Sequence, residues 1–198
     1  GALNTPTKGR YVVDDIDVYS LGLDQRAKFR MEFLGFIFQS FYLIPYLTVM
    51  ENVMLPLAIA KIKSREKSDM AREALMQVGL SGKENRLPNE ISGGEQERVA
   101  IARAVVNNPT ILLADEPTGN LDTKTSRGII DLFHTLNGEG ITIVMVTHNA
   151  ECAREAHRTL CVSDGLIMEQ ERSEKVVTYP FGLKAGVALY PMDKVAVQ

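Results

Sequence analysis

The sequence predicts an α/β fold with a mainly parallel sheet and an inserted helical subdomain. Three observations predict it. Apolar runs of strand length at 34–38, 111–114 and 141–146 alternate with helical patterns. The last two runs are apolar throughout, as expected of parallel strands covered on both faces. Between residues 40 and 91 the alternation stops and only helical patterns follow one another.

Each element has its own signal. Residues 1–10 read as the tail of a helix running into a turn, so the chain is expected to begin inside a structure. Residues 11–18 alternate apolar and acidic positions around Asp14 and Asp15, a strand or hairpin pattern. Residues 24–32 form a short charged helix. The run 34–38 ends at Gln39, and 40–47 is aromatic-rich with Pro45. Residues 49–61 have helical spacing, with Pro56 as a kink or break. Across 64–80, Met70, Ala71, Ala74, Leu75 and Val78 share one helical face, and Gly79 ends the helix. A helix starting at Ser92 stops at Asn107-Asn108-Pro109. Residues 123–136 are helical, closed by Gly138 and Gly140, and 149–157 are helical again. Two short runs, 159–162 and 166–169, flank Asp164-Gly165, a hairpin signal. Beyond Arg172 the pattern dissolves, so 1–172 reads as the domain and 173–198 as an unassigned tail.

Composition narrows the function. Hydrophobic residues make up 45% and charged residues 24%, with a formal net charge of −3. That balance leaves no basic footprint for nucleic acid. No apolar run approaches the ~20 residues of a membrane span. Cys152 and Cys161 form no metal-binding spacing and read as buried thiols of a reducing, cytoplasmic compartment.

The residues that carry chemistry cluster in a few runs. Ser92-Gly93-Gly94-Glu95 is a capping box whose two glycines leave the helix-start N–H groups open, a ready phosphate site. Capping alone needs only Ser92 and Glu95, and the run ISGGEQERVAIARA extends far past it. Asp115 and Glu116 end an apolar strand, where open α/β sheets bind ligands. An Asp there suits Mg²⁺, and the adjacent Glu can orient or deprotonate a water. Pro117 fixes both at the strand tip. His148, after the next strand, can hydrogen-bond a phosphate oxygen. Gln39 ends its run in the same way, and its amide can ligate Mg²⁺ or hold a water. The aromatic residues after it either relay that contact to a partner or are plain core.

Together these runs resemble the ATP-binding-cassette (ABC) ATPase family. ISGGEQ is similar to its signature motif and ILLADEP to its Walker B motif with the catalytic glutamate. Gly119-Asn120-Leu121-Asp122 looks like the D-loop, Thr147-His148-Asn149 the switch-histidine loop, and Phe38-Gln39-Ser40 the Q-loop. The match covers about residues 1–170. FIFQSFYLIPYLTVMENVMLPL and ADEPTGNLD are similar to the lipoprotein-releasing and macrolide-export subfamily. The resemblance implies a P-loop NTPase-like sheet and a homodimer that sandwiches two ATP molecules. Ser92, Gly93, Gly94 and Glu95 would then serve the partner subunit's ATP, and Asp115 and Gln39 the chain's own Mg²⁺. Glu116 would polarise water, His148 would contact the γ-phosphate, and Asp122 would couple the two sites. It also implies an integral-membrane permease facing residues 39–50, and a place on the inner face of the cell membrane.

The sequence departs from that family at two points, and one of them is the tail from Glu174, which matches no family element. No G-x-x-x-x-G-K-[ST] run occurs; Pro6-Thr7-Lys8-Gly9 lacks the glycine spacing. This leads to the expectation of an incomplete cassette that is inactive alone. The alternative is a non-hydrolytic regulatory subunit of a heterodimer. A DNA-maintenance ATPase would place a long coiled coil between Gln39 and Ser92, and no sustained heptads lie there.

Overall fold

The computed structural model describes residues 1–13, 15–163, 166–170 and 187–191. A small antiparallel hairpin, β1 (Val12–Val13) with β2 (Ile16–Asp17), precedes α1 (Leu23–Phe33). The main sheet is built from β3 (Leu34–Ile37), β4 (Ile111–Asp115), β5 (Thr142–Val146), β6 (Arg158–Ser163), β7 (Leu166–Gln170) and β8 (Val187–Pro191). Its order is β3-β4-β5-β8-β6-β7, parallel throughout except for the final antiparallel pair β6–β7. The α/β class with a mainly parallel sheet is therefore the observed architecture. The inserted segment holds α2 (Val49–Met54), a short 3₁₀ turn around Pro56 and α3 (Ser64–Gln77), and no strand.

The helix α4 (Gly93–Val105) is the centre of the core. Val99, Ala100, Ile101 and Ala102, four consecutive residues, are fully buried, so this stretch of the helix is enclosed on every side. It packs on β3, α2 and α3. Arg98 ties it down, donating to the carbonyls of Val78 (3.1 Å) and Gly128 (3.4 Å). The opposite face of the sheet carries a smaller cluster of Ala2, Val18, Phe29 and Leu34, with Phe36, Ile111 and Leu113 against it. Helices α5 (Thr123–Gly138) and α6 (Ala150–Arg154) complete the set.

Several expectations need correction. Residues 1–10 contain no helix; Pro6 cannot donate within one, and Gly9 sits at φ 100. The helix expected over 49–61 ends as α2 at Met54 and passes into the Pro56 turn, and that over 149–157 is only Ala150–Arg154. β4 and β5 are not equally covered on both faces. Leu112, Ala114, Ile143 and Met145 are buried, while Ile111, Leu113, Thr142 and Val144 are half-exposed. The helices α4 and α5 close only the first face. The tail also supplies a central strand, β8, from a segment where no period was legible. The Asp164-Gly165 turn lies outside the described residues. Cys152 and Cys161 are both buried and neither is in a disulfide, as expected.

Candidate functional site

Parallel register brings the strand tips together. Ile37 of β3 lies beside Ala114 of β4, and Asp115 beside Val146 of β5. Gln39, Asp115, Glu116 and His148 therefore emerge from adjacent strands at one end of the sheet. Glu116 takes a left-handed backbone (φ 49). Its N–H donates to the Val146 carbonyl (2.8 Å), and its own carbonyl accepts from the Gly119 N–H (3.0 Å). This turn aims the Glu116 side chain back over β5. There Oε1 accepts from the His148 backbone N–H at 2.8 Å, and His148 Nδ1 lies 2.8 Å from the same oxygen. Thr147 Oγ1 donates to Oε2 at 3.3 Å. A carboxylate offers only acceptors, so the proton in the imidazole contact sits on Nδ1. The Glu116 side chain is 15% exposed and that of His148 52%.

Gln39 reaches the same place. A Cβ on Gly119 would stand 3.4 Å from Gln39 Nε2, so the Gln39 amide rests on the turn that follows Glu116. Asn120 Nδ2 donates to the Gln39 carbonyl at 2.8 Å. Asp115 and Gln39 are both exposed. A carboxylate beside an amide oxygen is a hard donor set that fits Mg²⁺. Among the described residues no group of three His, Cys, Asp or Glu side chains forms a metal cage. A Mg²⁺ held by Asp115 and Gln39 would take its remaining ligands from phosphate and water, the usual manner for that ion.

The start of α4 is built separately. The Ser92 hydroxyl accepts from the Glu95 N–H (3.3 Å), and the Glu95 carboxylate accepts from the Ser92 N–H (2.8 Å). These backbone and hydroxyl bonds to Ser92, aided by Lys83, hold the Glu95 carboxyl below its ordinary value. The two glycines differ. A Cβ on Gly93 would meet nothing, whereas one on Gly94 would overlap the methyl of Thr125. Asp122 caps α5, accepting from the Thr125 hydroxyl (2.5 Å) and N–H (3.0 Å), which together hold its carboxyl below the ordinary range. Gly94 and Asp122 thus meet through Thr125. None of the contacts described joins Ser92–Glu95 to Glu116 and His148.

Beside Glu116 a cleft of about 820 Å³ opens between α5 and α6, lined by Glu116, Gly119, Lys124, Arg127, His148 and Glu151. Sequence reasoning missed Thr147, which braces Glu116, and Asn120, which braces Gln39. It also missed Thr125 and Arg103. Asn120 was visible within the run Gly119–Asp122; Arg103 looked like any arginine of an amphipathic helix.

Comparison with known proteins agrees with this arrangement. The profile of the ABC transporter family matches residues 2–119. The chain is 46% identical to the uncharacterized ABC transporter ATP-binding protein YvrO of Bacillus subtilis, over 88% of this chain and 76% of that protein. It is 50% identical to the macrolide export ATP-binding/permease protein MacB of Rhodopirellula baltica, over 87% of this chain but only 26% of that longer one. Among solved structures, the dimeric bacterial ABC transporter cassette MJ0796 superposes with a TM-score of 0.74 at 43% identity, covering 85% of this chain and 76% of that one. A second MJ0796 structure, a post-hydrolysis state bound to ADP and Pi, gives 0.74 at 41% identity. On its strand-tip geometry and these likenesses, the chain belongs to the ABC transporter family, as an ATP-binding subunit.

Proposed function

We propose that the chain is the ATP-hydrolysing subunit of an export or lipoprotein-release system, working as a homodimer on a membrane permease. One observation carries this reading: Glu116 and His148 share a carboxylate-imidazole contact at adjacent strand tips, with Asp115 and Gln39 alongside. The dimeric form of MJ0796 and the permease named with MacB support the partners. Among the described residues no helix is long and apolar enough to cross a membrane.

In this mechanism Asp115 and Gln39 would hold Mg²⁺, which would neutralise charge on the phosphates when bound. Ser92, Gly93, Gly94 and Glu95 present a helix start to the nucleotide of the other subunit. Glu116 is the general base. In the arrangement seen, its Oε1 is taken by His148 and its Oε2 by Thr147. The half-exposed His148 side chain is free to turn toward a γ-phosphate oxygen, which releases one lone pair of Oε1 for a water proton. Asp122, at the start of α5, faces the second site across the dimer.

The test is Glu116→Gln in the intact transport complex. Turnover is expected to fall about 10²–10⁴-fold, the range for a general base. ATP binding should persist, and the subunit should be trapped as an ATP-bound dimer. Equal turnover in wild type and variant would remove Glu116 from the mechanism.

A further inference from the structure

Residues 41 and 42 hold an unusual shape. Phe41 (φ 54) and Tyr42 (φ 47) are consecutive non-glycine residues in the left-handed region, where Cβ crowds the backbone. Such a pair persists only when its surroundings hold it. What holds it is Arg103, from the last turn of α4: Nη1 donates to the Tyr42 carbonyl (2.6 Å) and Nη2 to the Phe41 carbonyl (2.5 Å). The two strained residues turn both oxygens onto one guanidinium, and the planar fork of arginine suits two acceptors at once. Glu97 lies near enough to influence the charge of Arg103, yet among the described residues neither of its oxygens has a hydrogen-bond partner. The fork is directed at the loop rather than at the nearest carboxyl group.

The same turn is gripped at its other end. Asn120, four residues after Glu116, donates to the Gln39 carbonyl at 2.8 Å, and the Gln39 amide lies on Gly119. Beyond the turn, fully buried Asn52 holds residues 44–48 separately through four backbone contacts of 2.8–3.1 Å. The free length between these anchors is 39–43, and it carries the exposed Tyr42.

We propose that Arg103 and Asn120 are positioning residues for Gln39: one clasps the turn to the helix that begins ISGGE, the other to the loop that bears Glu116. The inference rests on the ATPase reading only for its catalytic consequence. The clasp fixes where the Gln39 amide stands relative to Asp115. It also makes the chain's own Mg²⁺ position dependent on α4, whose start serves the other nucleotide. Letting go of Arg103 frees Phe41 and Tyr42 to leave the left-handed region and carries Gln39 away from Asp115.

The experiment has two arms on Arg103→Ala, Arg103→Lys and Asn120→Ala. In the first, hydrogen exchange of the amides at 40–43 is measured on the 198-residue chain. Arg103→Ala is expected to speed it at least tenfold and Arg103→Lys less, while the Ile44 amide, held by Asn52, keeps its protection. In the second, the intact complex is titrated with Mg²⁺ and with ATP. The half-saturating Mg²⁺ concentration should rise about tenfold in Arg103→Ala and in Asn120→Ala, with KM for ATP within twofold. Unchanged exchange at 40–43, or Mg²⁺ and ATP constants that move together, would overturn the clasp. Should the wild-type complex hydrolyse no ATP, the ATPase reading fails while the exchange arm still decides the clasp. Should Arg103→Ala not fold, Arg103→Lys and Asn120→Ala carry both arms.

Discussion

Glu97 is a fully buried carboxyl group in the middle of α4, and neither oxygen has a hydrogen-bond partner among the described residues. Burial pushes its pKa up to about 8, against a weaker opposing pull from the Arg103 charge. The folded value thus lies above the ordinary 4.5, and over that interval only the native state holds the proton. The contribution to stability is complete below about pH 4.5 and drains away as pH rises toward 8, by ~1.4 kcal/mol per pH unit at most. Glu97→Gln removes the titration. It should raise the melting temperature at pH 8 by several degrees, leave it little changed near pH 5, and flatten the profile between. Parallel profiles for wild type and variant would refute this. The two glycines of the α4 start offer a second residue-scale test. Gly94→Ala sets a methyl against Thr125, whose hydroxyl is held by Asp122, and should cost about 1–3 kcal/mol by overpacking. Gly93→Ala meets nothing and should leave the melting temperature within a degree or two. If Gly93 faces the nucleotide of the other subunit, it should still lower turnover at least tenfold; normal turnover would place the phosphate elsewhere. The placing of Asp115, Glu116 and His148 at strand tips was legible in the sequence because each ends or closely follows an apolar run. Arg103 and Asn52 were not, because their partners are backbone groups, which no side-chain pattern announces.

Among the elements, β3 and α4 approach closely at Gly35. A Cβ on Gly35 would run into the Ala104 carbonyl and the Leu112 side chain. The strand that delivers Gln39 therefore lies directly on the helix that carries the Ser92 cap, with no side chain between. Gly35→Ala should cost about 3 kcal/mol and be seen as an earlier urea midpoint; an unchanged midpoint would mean that β3 can shift away. Helices with both an apolar stripe and a stop signal were read well: α3 ends before Gly79, which takes φ 74, and α5 runs from its Asp122 cap past Leu136. The failures have local causes. Pro56 stopped a helix that the spacing alone would have continued, and α6 is too short to establish a period. β8 pairs on both sides, and that pairing rather than its own pattern makes it a strand.

At the scale of the whole molecule, the sheet is two parts joined by β8. β3, β4 and β5 form one part and the β6–β7 hairpin the other, and Ala188 lies opposite Met145 on one side and Thr159 on the other. Proline at 188 would take a donor from the ladder and clash within a central strand. Ala188→Pro should lower stability by about 3 kcal/mol or more, measured by urea denaturation; a small change would show that the two parts stand without their bridge. The mainly parallel class was legible from three apolar runs, but which strand stands between β5 and β6 was not, because strand order depends on contacts distant in sequence. That order also bears on how the chain is made. Synthesis releases β5 and β6 well before β8, so a growing chain holds two open edges that only a later segment can close. Until then β5 offers an unsatisfied ladder to any neighbouring strand, the usual opening for mispairing and aggregation. Yield in the cell should therefore respond to how fast the last part of the message is translated and to the chaperones that shield the nascent chain, even where the finished protein is equally stable.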